Sequence, residues 1–148
     1  GLPARASNIR IDVRADHPYA SYNRLNFKVV TKKNCDVYAR FMVRVEEMEV
    51  TLKLIEEILT MLEQHKTEKI HGELNLVKGE ALSAVEAWRG EILQFVRLNE
   101  KGVIDRMAIR DPSFCNWPLF GEIGPGNIVP DFPLCNKSLN LSYSGCDM

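Results

Sequence analysis

Apolar residues recur three or four apart along one long stretch of this chain. Tyr38, Phe41, Val45, Met48, Leu52, Ile55, Leu59 and Leu62 follow one another at spacings of 3, 4, 3, 4, 3, 4 and 3. That rhythm puts all of them on one face of a helix. Asp36 suits the N-cap just ahead of it. The pattern therefore predicts a helix running from there to near His65, about 40 Å long. Glu49 and Lys53 stand four apart outside the stripe, in the order that favours an ion pair along a helix. Such a stripe serves either a dimerising coiled-coil strand or a core helix of a larger bundle. Met42 and Ile58 widen it beyond a narrow seam and favour the bundle.

A period of two marks other stretches. Ile9, Ile11 and Val13 alternate with polar residues, as do Leu25, Phe27 and Val29, and each set predicts a short strand. Pro18 disfavours helix at His17 between them. Residues 64–82 are polar and glycine-punctuated and read as a loop. Residues 91–98 and 103–109 read as two strands, and Asn99-Glu100-Lys101-Gly102 between them as a hairpin connection. Beyond Asp111-Pro112 the chain is rich in proline and glycine, with Trp117, Phe120, Ile123, Ile128, Val129 and Phe132 as apolar anchors. Short helices are predicted near residues 113–123 and 127–139, with Pro125 and its flanking glycines separating them. The expected fold is α+β: one long amphipathic helix, a short antiparallel β-hairpin sheet and short C-terminal helices.

Composition narrows the function classes. The chain has 148 residues, enough for a single domain, and is 45% hydrophobic and 26% charged. A net charge of -1 offers no attraction for nucleic acid. No apolar run approaches the roughly 18 residues that span a bilayer, so membrane association would come through partners. The start at Gly1-Leu2-Pro3 reads as the cut edge of a longer protein. Cys35, Cys115, Cys135 and Cys146 are widely spaced with no Cys-x-x-Cys, which suits free thiols in a reducing compartment.

Few residues declare chemistry alone. His17, His65 and His71 lack metal-ligand spacing. No phosphate-cradling glycine loop or dinucleotide fingerprint is present. Glu46-Glu47 reads as a solvated edge of the long helix. Glu86-Ala87-Trp88-Arg89-Gly90-Glu91 packs three charges and a tryptophan just before a strand. Those charges are either surface ion pairs, or Arg89 lies beside a cavity where its fixed fork binds an anionic or polarised group.

An ordered set of short motifs carries a family resemblance. Ala4-Arg5-Ala6-Ser7, Asp12-Val13-Arg14, Pro18-Tyr19, Asp36-Val37-Tyr38-Ala39-Arg40 and Val43-Arg44-Val45-Glu46-Glu47-Met48 come first. Val85-Glu86-Ala87-Trp88-Arg89-Gly90-Glu91 and Ile109-Arg110-Asp111-Pro112-Ser113-Phe114 follow, in the same order as in the family. Read together, they resemble the C-terminal part of the large subunit of group 4 nickel–iron hydrogenases, a family that includes the quinone-site subunit of respiratory complex I. The tail from Ser138 to Met148 resembles the end of that subunit with its Asp-Pro-Cys-x-x-Cys replaced. Asn140, Leu141, Ser142 and Gly145 stand at the four named positions.

The resemblance implies residues 1–148 are one domain, the C-terminal piece of a large subunit in a membrane-bound oxidoreductase complex. It implies an N-terminal remainder of the same subunit, an iron–sulfur small subunit carrying the cluster, and a membrane arm. The assembly would lie on the cytoplasmic side of the membrane, peripheral through its partners. Arg89 matches the family arginine that hangs over the nickel–iron site, and Glu86 and Glu91 match its motif neighbours. These three are the expected catalytic residues. Trp88 replaces the usual proline. A soft metal centre needs thiolate ligands, so the tail implies a redox cavity without a nickel–iron centre and no cofactor or metal held by this chain. Two rival readings remain: a true hydrogenase of the formate hydrogenlyase type, with Cys146 as a ligand, and a non-catalytic scaffold whose apolar stripe binds a partner helix.

Overall fold

Residues 1–64, 72 and 76–147 are described by a computed structural model of the chain. Helix α1 spans Leu2–Ala6 and helix α2 spans Val13–Asp16. The alternation of Ile9, Ile11 and Val13 does not become a strand. The Asp12 carboxylate accepts a hydrogen bond from the Arg14 backbone at 3.0 Å, and that cap starts α2 at Val13 instead. Ile9 and Ile11 are half exposed. Residues 25–29 likewise stay outside regular structure, after a 3₁₀ turn at Tyr22–Arg24. Among the described residues no neighbouring strand satisfies their backbone, and periodicity alone cannot supply one.

Helix α3 spans Val37–Glu63. The Asp36 carboxylate caps it, accepting from the Ala39 backbone at 2.6 Å. His65, its expected end, lies outside the described residues, as does His71. The buried positions of α3 are Ala39, Arg40, Val43 and Leu54. Ala39 and Val43 are small enough to let Leu2 and Ala6 of α1 close onto the helix. The predicted stripe faces away from this core. Tyr38, Phe41, Met48, Leu52, Ile55, Leu59 and Leu62 are all exposed, because no described element lies over them. Glu49 and Lys53 form no ion pair within 4 Å.

The sheet has three antiparallel strands in the order β1 (Gly79–Ala87), β2 (Gly90–Leu98) and β3 (Ile104–Arg110). The second hairpin is the one its sequence predicts. The Asn99 side chain accepts from the backbones of Lys101 and Val103, and Gly102 takes the positive φ of 71°. Strand β1 claims residues from Gly79 onward that read as loop. Glycine, glutamate and serine blur its alternation, and β2 supplies the ladder that holds it. The sheet is thus larger than a single hairpin. Trp88 and Arg89 are the two turn residues between β1 and β2, closed by the Ala87–Gly90 pair.

After β3 the chain turns at Asp111, whose carboxylate accepts from the Ser113 backbone at 2.7 Å and opens α4 (Pro112–Asn116). Helix α5 (Phe120–Ile123) and helix α6 (Phe132–Leu139) follow, separated as expected around Pro125. Trp117 stacks on Phe120 and tilts against Tyr143, and Phe120 meets Phe132. Ile128 and Val129 stay exposed rather than anchoring this cluster. Helix α6 ends at Asn140 in the left-handed conformation, φ 51°, so the tail doubles back. All four cysteines are free thiols. Among the described residues no helix is long and apolar enough to cross a membrane.

Candidate functional site

Two charged groupings meet near the β1–β2 turn. The first is centred on Arg5, whose side chain is 1% exposed. One terminal nitrogen of its guanidinium reaches Asp12 at 3.0 Å and Glu86 at 3.2 Å, and the other reaches Glu47 at 3.0 Å. Arg14 grips Asp12 through two further bonds of 2.9 and 2.6 Å. Glu86 also accepts from the Val13 backbone at 3.0 Å. Burial pushes the Asp12 carboxyl up, but the hydrogen bonds and charge of Arg14, with Arg5 behind, outweigh it and hold Asp12 below its ordinary range. Burial dominates at Glu47 and raises it, against the pull of Arg5 and Arg14. Glu47 is therefore no solvated edge, while Glu46 turns outward to Lys32. A cavity of about 430 Å³ opens over this network, walled by Met48, Leu52 and Trp88.

The second grouping is at the tail. Arg89, in the tight turn, donates from Nε to the Asn140 carbonyl. Its own carbonyl accepts from the Asn116 amide at 3.3 Å. Arg44 donates to the Leu139 carbonyl at 3.0 Å and lies 5.7 Å from the centre of the Trp88 ring. Arg40 donates to the Ser138 hydroxyl at 2.9 Å and to the Cys35 carbonyl at 2.8 Å.

The three expected site residues thus separate. Arg89 reaches the tail, Glu86 belongs to the buried network, and Glu91 pairs with Arg110. Neither carboxylate hydrogen-bonds Arg89 among the described residues. Arg5, Asp12, Arg14, Arg40, Arg44 and Glu47 carried no separate signal in composition or periodicity. Each does stand inside a motif that carries the family resemblance, and Arg40 and Arg44 share a helix face four residues apart.

The tail donors do not suit a nickel–iron pair. Ser142 presents a hydroxyl, which accepts from the Gly145 backbone at 3.0 Å, while its own backbone donates to Ser113. At Gly145 the Asp111 side chain fills the space beside the backbone: a Cβ there would stand 2.6 Å from the Asp111 carboxyl carbon. A thiolate at that position would need the Asp111 cap to move. Among the described residues no three His, Cys, Asp or Glu side chains converge as metal ligands.

Comparison with known proteins agrees with this architecture. The chain matches the family described as respiratory-chain NADH dehydrogenase, 49 Kd subunit, over residues 1–73 and 64–148. It is 37% identical over 149 residues to an NADH-quinone oxidoreductase subunit of Opitutus terrae, covering 99% of this chain and 37% of that protein. It is 32% identical over 147 residues to formate hydrogenlyase subunit 5 of Escherichia coli, covering 99% of this chain and 26% of that protein. A carbon monoxide-induced hydrogenase of Rhodospirillum rubrum is 32% identical, with 97% of this chain and 40% of that protein covered. Among solved structures, the membrane-bound sulfane sulfur reductase, an archaeal respiratory membrane complex, superposes with a TM-score of 0.88 at 27% identity, covering 100% of this chain and 42% of that one. The chain spans well under half the length of these relatives.

Proposed function

The chain belongs to the 49 Kd subunit family of respiratory-chain NADH dehydrogenase, and from that premise we propose that it lines the redox cavity of a membrane-bound oxidoreductase complex. In this reading the cavity takes electrons from an iron–sulfur cluster in a neighbouring small subunit. The assembly sits peripherally on the cytoplasmic face, attached through a membrane arm. The exposed apolar stripe of α3 packs against the remainder of its own large subunit, since its relatives are more than twice as long. No nickel is held at the tail, where a serine and a glycine stand in place of thiolates.

Arg89 is the residue this reading places against substrate. Its guanidinium is fixed by the turn on one side and by the Asn140 carbonyl on the other. A fork held in place can orient a carbonyl or anionic group and stabilise the negative charge that accumulates on it during reduction, with no reorganisation at that moment. Glu86, buried in the Arg5 network, is suited to carry a proton toward the cavity bordered by Trp88. Glu91 takes no part, because Arg110 occupies it. The observation that supports the reading is the Arg89–Asn140 contact, which joins the resemblance-bearing turn to the altered tail. Substituting Arg89 by Ala in the assembled complex should lower turnover by well over tenfold, an effect of the size seen when one transition-state donor is removed. Unchanged turnover in a fully assembled complex removes Arg89 from the mechanism.

A further inference from the structure

Three guanidinium groups hold three consecutive residues of the tail: Arg40 on Ser138, Arg44 on Leu139 and Arg89 on Asn140. Every acceptor is a neutral oxygen. Among the described residues none of the three arginines forms an ion pair with a carboxylate. The contrast with the neighbouring network is sharp, since Arg5 alone meets three carboxylates. Burial, followed by the charges of Arg40 and Arg89, pushes the Arg44 guanidinium below its ordinary value. The Arg44 Nε is buried without a hydrogen-bond partner. Bringing like charges together away from water costs free energy that neutral carbonyls only partly offset. A guanidinium offers five N–H donors. Arg44 and Arg89 each make one hydrogen bond here, and neither is fully buried.

We propose that Arg40, Arg44 and Arg89 form a binding site for a small oxyanion, one whose two or more oxygens match the planar fork of the guanidinium. Carboxylate and phosphate share that chemistry. Trp88 closes one side of Arg44 with its ring face, which keeps the cation in place without neutralising it. The ligand supplies negative charge to a group of arginines that meets no carboxylate among the described residues. This deepens the reading of Arg89 above, and the two can fail separately because binding is read without turnover.

The test is calorimetric titration of the intact purified complex with inorganic phosphate, and separately with succinate, at constant ionic strength maintained with chloride. Saturable binding of either probe is expected, weakened at least tenfold by Arg89→Gln and by Arg44→Gln and unchanged by Arg106→Gln on β3. Phosphate binding without succinate binding assigns a tetrahedral oxyanion, and the reverse assigns a carboxylate. Absence of saturable binding in the parent complex overturns the site, as does binding that survives Arg89→Gln. Because Arg44 is partly structural, Arg89, half-buried in the β1–β2 turn, carries the decision if Arg44→Gln fails to assemble. Lost turnover in Arg89→Ala with no oxyanion binding in the parent would leave the cavity reading standing and remove only the oxyanion.

Discussion

Arg5 shows how much of this site was hidden at the level of the single residue. Its partners are Asp12 at the cap of α2, Glu47 on α3 and Glu86 on β1, the last of them 81 residues away in the chain. No local pattern predicts that meeting, and Glu47 beside Glu46 looks like an ordinary solvated edge until α1 is packed on α3. Arg89 was easier, because its motif and the tail both announce themselves, and the structure brings them into contact. The buried network makes a specific stability prediction. Asp12 is fully buried between Arg5 and Arg14, so Asp12→Asn strands charge in the interior. It should cost about 3–5 kcal/mol in denaturant unfolding of the full-length subunit at neutral pH. The pH dependence follows from the direction of the shift. Asp12 is held below its ordinary value of 3.8, so its contribution is intact above that pH and is lost as pH falls through the lower folded value. Asn at this position should abolish that acid-side loss. A substitution with unchanged neutral stability would show the network to be dispensable.

At the scale of elements, local signals with a local cause were legible. Asp36 caps α3 and Gly102 turns the β2–β3 hairpin, because each acts on neighbours a few residues away. Elements that depend on a partner were not. Strand β1 exists because β2 pairs with it along its whole length, and the alternation around Ile11 fails because no described strand pairs with it. The α3 stripe was legible as a stripe, yet which face packs was decided by the small side chains of Ala39 and Val43 against α1. Gly102 provides the direct check on the hairpin. A Cβ there would meet the Leu76 carbonyl oxygen at 2.6 Å, at a φ of 71°. Gly102→Ala should destabilise the subunit by about 1–2 kcal/mol from the left-handed backbone alone, read by thermal unfolding. An unchanged melting temperature would mean the turn is not held as described.

For the whole molecule, the family was recoverable because the motifs keep their order, although none is decisive singly. The relatives include NADH-quinone oxidoreductase subunits and hydrogenases, so the family alone leaves the chemistry of the cavity open. The proposed reading separates those possibilities at the tail. Ser142 donates from its backbone to Ser113 and accepts from the Gly145 backbone, and the Asp111 carboxylate stands where a Cβ on Gly145 would go. Arg89 meanwhile stays on that tail and keeps the β1–β2 turn joined to it. Elemental analysis of the intact purified complex tests this most directly. The account predicts stoichiometric iron, from the partner's cluster, with nickel far below one atom per complex. One nickel atom per complex would contradict it.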